Sequence, residues 1–260
     1  MNEPAAEFRK LPLRKVIWGA FALSWQHRVS LFRATALPML AVIAFKLAFN
    51  VARSDESEFI GWTLHLFYGF ATCWLAVEVH RLVLLENSDA ISASAENLKR
   101  IGLFLIFLVG VWLLYAGLAL LIMSGLLNVL VGGYVPAGEE RRELPMSIEW
   151  LNTLAIVLAY YVVARFSLVF PAIATDRKPD LAAAWLASKR NGWRLAVVVG
   201  VLPWSLKYLT ELLYRDGATY GEFAVLVVIT VLFTLIEVVA LSLSYLEITS
   251  PAPLPTDPPA

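Results

Sequence analysis

Three ionisable side chains interrupt long apolar stretches of this sequence and are its strongest candidates for chemistry. Glu78, Arg165 and Glu237 each lie well inside a run of residues that could cross a membrane. A charged group in lipid is costly, so each of them is a functional candidate that needs a partner. Arginine stays charged and can hold a carboxylate through two parallel hydrogen bonds. We therefore predict a buried polar cluster in which Arg165 pairs with Glu237, Glu78 or both.

The positions of the three groups along their apolar runs support this prediction. Each lies on a span that returns to the side of the chain termini. At a rise of about 1.5 Å per residue, their distances from that end of the span agree within about one helical turn. The pair would either fix the register of the helices or form a polar site for a headgroup, an ion or a proton. Exchanging the charges, Arg165→Glu with Glu237→Arg, would separate these two interpretations.

Other chemistry has little support in the sequence. His65 and His80 have a spacing typical of axial ligands for two stacked haems, but His27, the remaining histidine, lies outside the apolar runs. Cys73 is the single cysteine, and no phosphate-binding loop or nucleophile elbow is present. We therefore expect no catalytic residues, no metal and no cofactor, and a protein that is not an enzyme.

The elements that position these residues are membrane-spanning helices. Hydrophobic residues make up 59% of the 260 residues and charged residues 16%, whereas a soluble domain has about 45–50% and 25%. A spanning helix needs roughly 20 apolar residues. Six continuous runs meet this length, which favours helices over the alternating strands of a membrane barrel. The predicted spans are residues 31–51, 59–85, 101–131, 151–175, 195–214 and 223–246.

The basic residues indicate how these spans are oriented. Only Arg53, Arg141, Arg142 and Arg215 fall in loops opposite the termini, while most other basic residues flank the spans on the terminal side. Such a bias marks the cytoplasmic side, so we predict that both termini are cytoplasmic. Lys+Arg and Asp+Glu both number 21, so the charge balance gives no support for a nucleic-acid partner.

The sequence predicts that the spans form a threefold repeat. Lys99-Arg100 precedes the third span, and Lys189-Arg190 precedes the fifth span 90 residues later. Residues 11–27 have one apolar helical face and precede the first span as a surface helix. The predicted fold is all-α: six transmembrane helices as three helical hairpins, each preceded by a cytoplasmic amphipathic helix. Residues 1–249 would form this single domain, and the Pro-rich tail 250–260 would be disordered.

The segment that begins at Arg165 has a recognisable pattern. The sequence RFSLVFPAIA over residues 165–174 is followed by Asp176, by Ala-Trp at 184–185 and by SKRNGWRL over 188–195. This pattern resembles the membrane domain fused to some glycerophosphoryl diester phosphodiesterases and the related YciC-like proteins of bacterial inner membranes. The resemblance implies a multi-pass inner-membrane protein. It does not transfer the phosphodiesterase activity, which belongs to a separate soluble domain.

These observations lead to a ranked set of functions. We expect a non-enzymatic membrane scaffold that interacts with lipids or with a membrane-protein partner. The alternatives are a small transporter or channel that uses Glu78, Arg165 and Glu237, and, third, a membrane enzyme acting on lipid. Basic residues beside tryptophans suit anionic headgroups. The candidates for headgroup binding are Arg190, Arg194, Trp185 and Trp193.

Overall fold

The computed structural model describes residues 10–52, 58–85, 95–130, 147–213 and 220–250. Ten α-helices run through these residues, and none of the described residues forms a strand. The helices are α1 (Leu13–Gln26), α2 (Arg28–Ala52), α3 (Glu58–Leu85), α4 (Ala95–Leu130), α5 (Ser147–Phe166), α6 (Val169–Ala174), α7 (Leu181–Ala187), α8 (Gly192–Ala196), α9 (Leu202–Leu213) and α10 (Tyr220–Thr249).

Six stretches are long and apolar enough to span a membrane, as predicted. They are Arg28–Phe49, Phe59–Leu85, Ala95–Gly125, Thr153–Ala174, Gly192–Leu213 and Gly221–Thr249. Consecutive spans pack on each other in pairs. The helix α2 contacts α3, α4 contacts α5 and α9 contacts α10. The chain is therefore an all-helical, multi-pass membrane protein.

Two spans deviate from regular helix, and proline accounts for both deviations. The fourth span is broken at Ser167–Leu168, where α5 ends and α6 begins, four residues before Pro171. The fifth span contains a single π-helical turn, Val197–Val201, just before Pro203. Proline has no N–H to bond the carbonyl four residues earlier and its ring crowds that carbonyl, which favours rearrangement of the preceding turn, although α2 continues through Pro38.

The first helix lies against the end of the last one. Val16 and Ala20 of α1 are fully buried, Lys15 pairs with Glu247, and α1 packs on α10. We call this end of the bundle the terminal face, since the described parts of both chain ends meet there. Trp18 and Trp25 on α1 are exposed and extend away from this contact.

The other predicted surface helices have different outcomes. The helix α7 lies where the third was expected, just before the fifth span, and Asp180 caps it by accepting hydrogen bonds from the N–H groups of Ala182 and Ala183 at 2.8 and 3.1 Å. The second was expected just before the third span, where residues 86–94 lie outside the described residues and 95–98 form the first turn of α4. Arg141 and Arg142, which were predicted to lie in an outer loop, and all but the first residue of the Pro-rich tail also lie outside the described residues.

Candidate anion site at the terminal face

Arg165 lies in the last turn of α5, buried, with an exposed fraction of 8%. Its Nε donates to the Ser188 hydroxyl at 3.1 Å, and its Nη2 donates to the Trp185 carbonyl at 2.7 Å. The guanidinium carbon also lies 3.4 Å from the centre of the Trp185 ring, a cation–π contact. Phe166 stacks on the same indole. We call these four residues the Arg165 cluster, and it joins α5 to the α7–α8 connection.

The predicted pairing of Arg165 with Glu237 or Glu78 is wrong. None of the ion pairs among the described residues includes any of these three side chains. Position along a helix gives depth in the membrane but not the direction in which a side chain points. Arg165 points to the nearby connection, where a carbonyl and a hydroxyl satisfy its donors without the cost of burying a second charge.

The two glutamates lie in separate environments. Glu78 is buried on α3 and accepts hydrogen bonds from Asn97 Nδ2 at 2.8 Å and from Trp74 Nε1 at 3.3 Å, so it fastens α3 to α4. Glu237 is half-buried on α10. The predicted cluster of three is therefore three separate sites. Five surface cavities formed by the described residues have other side chains in their walls.

Two buried polar links were missed by sequence reasoning. Asn191 is fully buried, and its Oδ1 accepts the Leu11 N–H at 2.7 Å, which ties the residues before α1 to the α7–α8 connection. His80 Nδ1 lies 2.7 Å from the Ser242 hydroxyl, which itself donates to the Val238 carbonyl. Because that hydroxyl proton is already used, Nδ1 must be the donor, and α3 is thereby joined to α10.

The four headgroup candidates have different roles in the structure. Trp185 is occupied by Arg165 and Phe166, so it is a packing residue. Trp193 is 55% exposed, and the Arg194 guanidinium lies over its ring at 5.1 Å. Arg190 is exposed. Arg190 and Trp193 are exposed, while Arg194 and Trp185 are half-buried, and the described contacts gather no further polar group around Arg190, Trp193 and Arg194.

The end of α6 has a further feature that sequence reasoning missed. Asp176 has a φ of +60°, the one described non-glycine residue in the left-handed region. Its N–H donates to the Ile173 carbonyl at 3.2 Å, and the next N–H, of Arg177, donates to the Ala172 carbonyl at 2.9 Å. These two bonds form a Schellman ending, which glycine usually supplies. A strained backbone that persists at one residue is often kept for what its side chain does.

The Asp176 side chain joins three helix ends. Arg100 of α4 donates to both carboxylate oxygens, through Nε at 2.5 Å and Nη2 at 3.0 Å. Arg81 of α3 donates to the same carboxylate at 3.3 Å and to the Ala174 carbonyl at 3.1 Å. The hydrogen bonds and charge of Arg100, with a smaller contribution from Arg81, hold the pKa of the Asp176 carboxyl below its usual value of 3.8.

Arg100 and Asp176 line an open groove of about 530 Å³, which we call the basic groove. Its charged lining residues are Glu96, Lys99, Arg100, Asp176, Arg177 and Lys178. Arg100 is engaged by Asp176 and Glu96, and Arg177 donates to the Tyr245 hydroxyl at 3.0 Å. Lys99 and Lys178 are exposed and make no ion pair within the described part of the chain. Four cations against two carboxylates leave the groove positive.

The groove suits an anion rather than a metal ion. Ammonium and guanidinium groups are the usual partners of phosphate and carboxylate. Among the residues that the structure describes, no group of three His, Cys, Asp or Glu side chains is placed to hold a metal. The sequence signal for the groove was the pair of basic dipeptides, Lys99-Arg100 and Arg177-Lys178, which sequence reasoning used for orientation and, in the case of Lys99-Arg100, for the repeat.

Comparisons with known proteins identify no relative. No family model matches the chain, and neither the characterised proteins nor the solved structures include a similar one.

Proposed function

We propose that this protein is a non-enzymatic scaffold of the bacterial inner membrane that binds anionic lipid headgroups at its terminal face. The observation that carries the proposal is the basic groove, in which Lys99 and Lys178 have no partner among the described residues. A lysine near an anionic lipid surface contributes about 1 kcal/mol. A headgroup phosphate would supply the negative charge that the groove lacks.

The orientation of the bundle is part of the proposal. The terminal face carries most of the basic residues, so we place it in the cytoplasm, where anionic headgroups attract such residues. The contacts between consecutive spans support three helical hairpins, and we place α1 and α7 on the cytoplasmic side. The resemblance of 165–195 to YciC-like membrane domains supports the inner-membrane location and gives no activity.

Transport has less support than binding. A transporter would need a wet path that reaches Glu78, Arg165 and Glu237. These residues make separate contacts, and two of them are buried. A lipid enzyme would need an acid and a base that face one substrate. The groove offers cations that can hold an anion, and its two carboxylates, Asp176 and Glu96, are both salt-bridged to Arg100.

Lipid selectivity tests the proposal directly. The full-length protein would be placed in nanodiscs that contain equal phosphatidylglycerol and phosphatidylethanolamine, and the retained lipid would be counted by native mass spectrometry. We expect the wild type to retain the anionic lipid preferentially. The double variant Lys99→Gln/Lys178→Gln should lose about 2 kcal/mol of binding, roughly thirty-fold in affinity.

A matched variant separates the groove from the predicted tryptophan–arginine patch. Lys189→Gln/Arg190→Gln removes the same charge from exposed positions on the terminal face outside the groove. We expect this variant to bind like the wild type. Equal retention of both lipids by the wild type would refute lipid recognition, and loss of binding in the Lys189/Arg190 variant alone would refute the assignment to the groove.

Cytoplasmic exposure of the terminal face has its own test. The variant Arg190→Cys puts a thiol on an exposed position, while the native Cys73 is buried. A membrane-impermeant maleimide should label this thiol in inverted inner-membrane vesicles and not in intact spheroplasts. The opposite labelling pattern would contradict the orientation.

A further inference from the structure

An apolar groove lies along α4 just beyond the basic groove. Its volume is about 290 Å³. Its wall includes Ile106, Phe107, Gly110, Leu114, Phe166 and Leu181. It contains no charged residue. Ile106 is 68% exposed and the position of a Gly110 Cβ meets nothing within 4 Å, so no described protein segment fills the groove.

Both grooves share one face of α4. Along this helix the basic groove uses Glu96, Lys99, Arg100 and Leu103, and the apolar groove uses Ile106, Phe107, Gly110, Val111 and Leu114. These positions recur every three or four residues, so they form one continuous stripe. Leu103 and Phe107 are one turn apart, about 6 Å.

The opposite wall is continuous as well. Pro179 lines the basic groove, and Leu181, two residues later, lines the apolar one. The positive end therefore lies at the terminal face, and the apolar end extends towards the middle of the third span. Such a gradient of charge complements an amphiphile whose phosphate is at the membrane surface and whose chain enters the hydrocarbon.

We infer that one anionic phospholipid binds along this face of α4, with its phosphate in the basic groove and an acyl chain in the apolar groove. This inference rests on the proposed function and adds a bound chain to it. A helix from a second copy of this chain would fit the apolar groove but would bring no anion to Lys99 and Lys178. A free phosphate would neutralise the cations but leave the apolar groove open.

The inference can be tested by changing the length of the acyl chains and by substituting one glycine. In the wild type, phosphatidylglycerol with eighteen-carbon chains should bind about tenfold more tightly than its six-carbon analogue, because only the long chain buries apolar surface in the groove. Gly110→Leu should fill the groove and remove this preference, while leaving the binding of the six-carbon lipid unchanged. Both affinities can be measured by titration followed by native mass spectrometry.

The control is Gly69→Leu on α3. A Cβ at Gly69 also meets nothing within 4 Å, and the residue lines neither groove, so this variant should keep the tenfold preference. Inorganic phosphate at equal concentration should displace the six-carbon lipid more readily than the eighteen-carbon one. If phosphate displaces both equally, a phosphate site alone is present and the inference is wrong.

The outcomes also separate this inference from the proposed function. If Gly110→Leu keeps the chain-length preference, the acyl site is refuted while headgroup binding stands. If Lys99→Gln/Lys178→Gln leaves the binding of both lipids unchanged, headgroup binding itself is refuted. Loss of the preference in Gly110→Leu with retained six-carbon binding and a retained preference in Gly69→Leu would support the inference.

Discussion

The Arg165 cluster and the basic groove both lie near the terminal end of the bundle, but their cations have opposite environments. Arg165 is buried, and a carbonyl, a hydroxyl and an indole ring occupy its guanidinium. In the groove, Arg100 is paired with Asp176, while Lys99 and Lys178 remain exposed and without an ion pair in the described structure. The first arrangement is closed by the protein itself, and the second leaves positive charge for a ligand.

The residues that form a recognisable sequence pattern are therefore different from the residues proposed to bind a ligand. The recognisable segment 165–195 supplies Arg165, Trp185, Ser188 and Asn191, and each of these makes a contact that holds the fold together. Structural contacts therefore account for these four residues. The proposed binding chemistry comes from two basic dipeptides that the fold brings to one groove.

The largest expected effect is at Arg165. Arg165→Ala removes two hydrogen bonds and a stacked cation from a buried site, and should lower the free energy of unfolding by about 3 kcal/mol. Arg165→Lys should recover little, because an ammonium group cannot stack flat on Trp185 while reaching both acceptors. Unfolding by sodium dodecyl sulfate in mild detergent measures the change.

Two further variants sharpen this result. Arg190→Ala, on an exposed residue, should change stability by less than about 0.5 kcal/mol. The exchange Arg165→Glu with Glu237→Arg should fail to restore the wild-type value, because a carboxylate cannot donate to the Trp185 carbonyl. Full recovery in the exchange variant would show that Arg165 acts through Glu237 after all.

Asn191 should have the next largest effect. Asn191→Ala removes the acceptor of the buried Leu11 N–H, and an unsatisfied buried donor costs about 1–3 kcal/mol. Ser205→Ala is the matched control, since the exposed Ser205 hydroxyl only bonds the carbonyl one turn back in its own helix. Equal destabilisation by the two variants would mean that the link to Leu11 carries no stability.

The sequence predicted the elements well and the polar contacts poorly. Six spans were found because continuous apolar runs of this length have few alternatives to a membrane helix. The burial of Arg165 and Glu78 also followed from their positions in such runs. The pairing of Arg165 was wrong, because the break at Ser167–Leu168 and the course of the α7–α8 connection decide what Arg165 meets.

The basic groove could not be predicted from the sequence, for a similar reason. Lys99-Arg100 and Arg177-Lys178 are far apart in the chain, and each alone has the appearance of an ordinary topology signal. Only the Schellman ending of α6, with Asp176 in the left-handed region, directs that carboxylate to Arg100 and Arg81. A left-handed aspartate has no sequence pattern comparable to that of glycine.

A smaller effect on stability, together with a gain in lipid affinity, is expected at Asp176. Asp176→Asn keeps a residue that tolerates the left-handed backbone but removes the charge that neutralises Arg100 and Arg81. Stability should fall by less than about 1 kcal/mol, since the pair is half-exposed. The affinity for phosphatidylglycerol should rise about fivefold. Asp180→Asn, which keeps a good helix cap outside the basic groove, should change the affinity less than twofold.

The smallest effect concerns pH. The pKa of Asp176 is lowered in the folded protein, chiefly by Arg100, so its ion pairs add stability above the unfolded value of 3.8 and lose it as the pH falls through the lower folded value. Between about pH 5 and 8 the carboxyl stays ionised, and its contribution should not change. In acid titrations of unfolding, the wild type should therefore show a small loss below pH 3.8 that Asp176→Asn lacks. If the variant shows the same acid-dependent loss as the wild type, the Arg100–Asp176 pair contributes nothing, and the groove, like the Arg165 cluster, holds its shape by other contacts.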